Sequence, residues 1–161
     1  MDDPLPATPV DPRFAEMWHE LGQGTPTIAG FAWACSRALA AGGNQQIVLS
    51  PEAKAILFAA RNRGLLEIKA SQRAFESPAR MLAVYVETDD EQAIFFRAKD
   101  NPATTIRFLS GFRELCAAGL VMHQIYQEFS LTREGLELAQ TIPQAEVEKL
   151  LNLGTTVGIY E

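Results

Sequence analysis

Apolar residues recur at helical spacing in six stretches of this chain and at strand spacing in five. Phe14, Met17, Trp18 and Leu21 follow Asp11 and Pro12, which predicts a capped amphipathic helix ended by Gly22. From Thr27 to Ala41 the chain is apolar nearly all round, through Ile28, Phe31, Trp33, Cys35, Ala38 and Leu39. A helix without a polar face is expected in a core or an oligomer interface. Ser50, Pro51 and Glu52 combine an N-cap, an N1 proline and an acid facing the helix dipole. They predict a helix whose stripe is Ala53, Ile56, Leu57 and Ala60, with Gly64 as its C′ residue.

The period then changes to two. Leu65 to Ala70 reads as a strand, and Met81 to Glu87 and Ala93 to Ala98 read as a hairpin joined by the polar segment Thr88 to Gln92. Asn101 and Pro102 open a helix that extends to Ala118, with Phe108, Leu109, Phe112, Leu115 and Cys116 on one side and Gly119 beyond its end. Leu120 to Ile125 and Tyr126 to Leu131 are short strands expected to fold back on each other. Thr132 caps a helix through Gln140, and Pro143 begins a last helix carrying Val147, Leu150 and Leu151, stopped by Gly154. The tail TTVGIYE is weakly β-like, and MDDPLPATPV at residues 1–10 has no period and reads as a flexible tail.

The stretch IRFLSGFRELCAAGLVMHQIYQEFSLTREGLELA, Ile106 to Ala139, resembles the winged-helix domains. The resemblance rests on a helix ending in Gly119-Leu120-Val121, a hairpin around Gln124 to Gln127, and Leu131-Thr132-Arg133-Glu134-Gly135 opening the next helix. It implies a first helix at Pro51 to Arg63, a first strand at Leu65 to Ala70, and a recognition helix from Pro102 to Ala118. The family places a short second helix before the recognition helix, where this chain has the Met81 to Ala98 hairpin and room for a helix only near Gln72 to Arg80. The expected fold is therefore α+β: a winged-helix-like core with an inserted β-hairpin and an N-terminal helical extension. One domain spans 11–161, divided into the extension at 11–44, the core at 50–142, and a C-terminal helix and tail at 143–161.

Composition agrees with one globular unit. The 161 residues are 47% hydrophobic and 21% charged, a balance that suits a packed core rather than a disordered chain. No apolar run reaches the length of a membrane span, and Asp2 and Asp3 make a poor start for a secretory leader. Two cysteines are too few for a disulfide framework, so a cytoplasmic setting is expected.

The net charge of −6 is unevenly distributed. Residues 1–53 sum to −4, 54–113 to +3 and 114–161 to −5. The basic middle can serve as a footprint for a polyanion, although solvated faces of ordinary elements produce the same tally. If the domain reads DNA, the Pro102 to Ala118 helix enters the major groove with its polar residues Thr104, Thr105, Arg107, Ser110, Arg113 and Glu114, of which Arg107 and Arg113 contact phosphate or guanine edges, and Arg63 and Lys69 add backbone contacts. Against that, the wing segment His123 to Ser130 has no Lys or Arg and contains Glu128, so it cannot neutralise phosphate.

Enzymatic readings find little footing. Cys116 and His123 lie seven residues apart, but Cys116 falls on an apolar stripe. His19 and His123 have no metal-ligand spacing, and neither Gly22-Gln23-Gly24 nor Gly42-Gly43 has the context of a phosphate loop. Asp89, Asp90 and Glu91 cluster at an expected hairpin tip, where solvated charge is ordinary. The expectation is a non-enzymatic interaction or assembly module without cofactor or metal, forming a homodimer through Phe31, Leu39, Val147, Leu150 and Leu151. A DNA-binding regulator using Arg107, Arg113, Arg63 and Lys69 is the alternative. A small-molecule sensor with a pocket under the Met81 to Ala98 hairpin is the third.

Overall fold

A computed structural model describes residues 26–42, 48–70, 81–98 and 100–159. The expected tail at 1–10, the helix from Asp11 to Leu21 and the stretch from Gln72 to Arg80 lie outside the described residues. The elements run α1 (Pro26–Ala40), α2 (Pro51–Ala60), β1 (Leu65–Lys69), β2 (Ala83–Glu87), β3 (Gln92–Phe95) and α3 (Pro102–Ala117). They continue with β4 (Val121–Ile125), β5 (Glu128–Leu131), α4 (Arg133–Thr141), α5 (Gln144–Leu151) and β6 (Thr155–Gly158). The class is α+β.

The strands of the described residues form one antiparallel sheet in the order β4-β5-β1-β2-β3-β6. β1 is the junction. Its Leu66 faces Val86 of β2 on one side and Phe129 of β5 on the other. The Met81 to Ala98 hairpin is thus built into the sheet beside β1. The tail is firmer than its weak pattern suggests: β6 adds to β3 with Val157 opposite Ala93. Gly154 makes that return possible, because a Cβ there would come within 2.7 Å of the Ile94 side chain.

Local capping follows the sequence signals. The Ser50 hydroxyl accepts from the Ala53 N–H at 3.2 Å and opens α2. Gly119 is the C′ residue of α3 at φ 73, whereas Gly64, expected in that role for α2, stands three residues past the C-cap Arg61 and at φ 69 turns the chain into β1. Thr132 closes the β4–β5 segment at both ends. Its hydroxyl donates to the Gly119 carbonyl at 2.8 Å and accepts from the Gly135 N–H at 3.1 Å.

The core corrects two expectations about burial. α2 is buried along all of Ala53 and Ala55 to Ala60, not along one stripe, since α3, α4, α5 and β2 surround it. α1, expected to be covered all round, turns Ile28, Phe31, Ala32 and Cys35 inward and leaves Trp33 61% exposed. The centre is filled by Phe96 on Phe108, with ring centroids 4.6 Å apart, and by Phe112, which meets both Phe31 and Phe129 edge to face.

Candidate functional site: the outer face of α3

α3 is anchored from both ends and from beneath. Thr105 is buried and its hydroxyl accepts from the Ala98 N–H at 3.1 Å, which fixes the start of the helix. At mid-helix, Gly111 lies against α2, where a Cβ would come within 2.8 Å of the Ala53 nitrogen. Thr104, Thr105, Phe108, Gly111, Phe112, Leu115 and Cys116 are buried. With 3.6 residues per turn, Ala103, Ile106, Arg107, Ser110, Arg113 and Ala117 form the opposite, exposed arc.

That arc is less polar than the sequence implies. Thr104 and Thr105 are inside the protein. Glu114 is half-buried and reaches α2, accepting from the Ser50 N–H at 3.0 Å and the Ser50 hydroxyl at 2.5 Å. The middle of the outer face consists of Ala103, Ile106, Ser110 and Ala117, with Ile106 54% exposed. Arg107 and Arg113 flank it, one at each edge, and make no ion pair among the described residues.

The other two expected nucleic-acid contacts, Arg63 and Lys69, are committed within the sheet. The Arg63 guanidinium bonds Glu87 at 3.0 Å and also Asp90 at the β2–β3 tip. The Lys69 ammonium lies 3.6 Å from the centre of the Tyr85 ring and 3.7 Å from a Glu67 oxygen. Burial, and then the negative charges of Glu87 and Glu67, raise the Tyr85 hydroxyl above its usual range. Arg63 precedes β1 and reaches Glu87, whereas Lys69 ends β1 opposite Ala83, so the two stand at opposite ends of the strand. They do not join into one cationic cluster.

The β4–β5 hairpin is held by its own polar groups. The His123 Nε2 lies 2.7 Å from the Tyr126 carbonyl, and the Gln124 amide donates to the Ser130 hydroxyl at 2.8 Å. Its tip exposes Ile125 and Tyr126, together with Glu128. The hairpin thus offers apolar surface and one acid, with no cation. Under the β2–β3 hairpin, the space expected for a sensor pocket holds Val84, Val86 and Phe96, with Phe96 packed on Phe108.

The expected dimer residues divide. Phe31 and Val147 are buried within the protomer, and Phe31 lies 5.3 Å from Phe112, so the premise that they need an outside partner is corrected. Leu150 and Leu151 pack partly against the same core. Leu39 is 45% exposed and remains available.

The Cys116 thiol has Cys35 as its partner, while His123 packs against the Phe129 ring. Burial and the hydrogen bond with Cys35 push the Cys116 thiol well above its ordinary range. Sequence reasoning missed this pair. A signal was present, because each cysteine follows a phenylalanine by four residues, Phe31 and Phe112. Among the described residues no three His, Cys, Asp or Glu side chains converge as metal ligands, and no helix is long and apolar enough to cross a membrane.

Comparison with family models, curated proteins and solved structures returns no match for this chain.

Proposed function

We propose that this protein is a non-enzymatic interaction module that assembles with protein partners, a second copy of itself included, in a reducing compartment. The carrying observation is the outer face of α3, an apolar centre of Ala103, Ile106 and Ala117 flanked by Arg107 and Arg113. Exposed apolar side chains between two charged edges suit a protein contact, whose affinity comes from desolvated anchors. Trp33 and Leu39 on α1 add exposed apolar surface for self-assembly. Both cysteines are free thiols, in keeping with a reducing setting.

A winged-helix-like core is part of the proposal. Three features support it: α3 leads through Gly119 into β4–β5, β5 pairs onto β1, and Thr132 ties the hairpin's end to the start of α4. The β2–β3 hairpin stands in the chain where the family has its second helix, which disfavours a helix-turn-helix mode of DNA reading.

Light scattering on eluting protein tests the assembly. A mass above 17.7 kDa at micromolar concentration that falls to the monomer in Ile106→Glu or Trp33→Ser supports it. A monomer at every concentration removes self-assembly from the proposal. The DNA-binding alternative is favoured by one observation, that Arg107 and Arg113 are exposed and make no ion pair among the described residues. Affinity for mixed-sequence duplex that falls steeply with salt and drops in Arg107→Ala supports that alternative, and no binding at low salt eliminates it.

A further inference from the structure

Cys35 and Cys116 come together where α1 packs on α3, and the geometry around them is regular. The Phe31 and Phe112 rings meet edge to face at 5.3 Å. Four residues later, one turn on in each helix, stand Cys35 and Cys116, with Cys35 close enough to help push the Cys116 thiol above its ordinary range. They are 1% and 0% exposed, sealed by Phe31, Phe112 and the rest of the core. Neither sulfur belongs to the outer face of α3 or to the exposed face of α1, so the proposed contacts leave this pair unused.

We propose that Cys35 and Cys116 are an oxidative modification site, closed by hydrogen peroxide to an intramolecular disulfide that fastens α1 to α3. In the first step one thiolate attacks a peroxide oxygen. The O–O bond breaks, hydroxide leaves and takes up the proton lost by the thiol to become water, and that cysteine becomes a sulfenic acid. The second thiol then attacks the sulfenic sulfur, the S–O bond breaks, and a second water leaves as the S–S bond forms. Two thiols are oxidised by two electrons and one peroxide is reduced to two waters.

The apolar seam controls when this happens. Burial holds Cys116 in its protonated, poorly nucleophilic form, so reaction requires α1 to lift from α3 and admit peroxide. Once formed, the bond joins positions far apart in sequence across two helices and opposes further lifting. Oxidation therefore converts a transient opening of α1 into a lasting closure.

The test uses the full-length protein exposed to hydrogen peroxide, then denatured, alkylated with N-ethylmaleimide and mapped by mass spectrometry. The expected products are a Cys35–Cys116 cross-linked peptide within one chain, released by dithiothreitol, and amide exchange in α1 slowed several-fold. Cys35→Ser and Cys116→Ser each lose the cross-link, and if either variant does not fold, the mapping of the unmodified sequence decides. Two alkylated thiols, oxygenated cysteines without a cross-link, or a bond between two chains overturn the proposal. A cross-link that leaves α1 exchange unchanged overturns the fastening.

Discussion

α1 and α2 are both rich in apolar residues, and the structure treats them differently. α1 has Phe31 and Trp33 two residues apart, buries the first against Phe112 and leaves the second in solvent. α2 contains no residue as large as tryptophan, yet almost its whole length is enclosed. The cause is side-chain size as much as hydrophobicity. Ala53, Ala55, Ala59 and Ala60 let neighbouring elements approach α2 from several sides, with Ile56 and Leu57 filling the gaps. Among the described residues α1 rests on α3 and β4, and its outer half has no neighbour to pack against. Apolar content reports what a helix can tolerate, whereas its surroundings decide what is used.

This contrast can be broken at graded strength. The largest effect is expected for Leu57→Ala in α2, a fully buried side chain removed from a surrounded helix. It should cost about 2–5 kcal/mol of unfolding free energy in a urea titration. Gly111→Ala comes next, at roughly 1–3 kcal/mol, because the new methyl meets the α2 backbone and not a movable side chain. Thermal unfolding of that variant should show a lowered midpoint, and an unchanged midpoint would mean that the α2–α3 seam is looser than the 2.8 Å approach at Gly111 requires.

Ser50→Ala tests how firmly the start of α2 is set. It removes the cap on Ala53 and one of the two hydrogen bonds to Glu114, for about 1 kcal/mol by chemical denaturation. The smallest effect is expected at Trp33→Ala, within about 0.5 kcal/mol of the parent despite the loss of the largest side-chain type in the chain. Sedimentation should nevertheless show weaker self-association in that variant. A large stability loss with no change in association would reverse the roles given to the two faces of α1.

Chain-local signals were the legible ones. Ser50-Pro51, Thr132, Gly64 and Gly119 each act through a hydrogen bond or a backbone angle within a few residues, so sequence alone locates them. The alternation in β1 also carried through, with Leu66 and Ile68 buried. What sequence left open depends on distant neighbours. β6 gains its strand character from β3, some sixty positions earlier, and its own Thr155-Thr156-Val157-Gly158 states that only weakly. The same holds for the candidate site. Arg107 and Arg113 could be placed on an exposed arc from spacing, but Thr104 and Thr105 could not be removed from it. Their burial depends on Ala98 and the packed interior. Likewise nothing near Arg63 or Lys69 announces Asp90 or Tyr85 as a partner.

The strand order has a consequence for how the chain is made. β2–β3 and β4–β5 are local hairpins that can close soon after they are synthesised. β1 cannot gain its second neighbour until β5 has emerged, and β3 keeps an open edge until β6 arrives close to the end of the described chain. Pairings of such long range slow folding and leave unpaired edges exposed in the interim. A chain truncated before residue 155 should carry a five-stranded sheet with β3 unprotected. Residues 155–158 are thus the ones that cover the outer edge of β3.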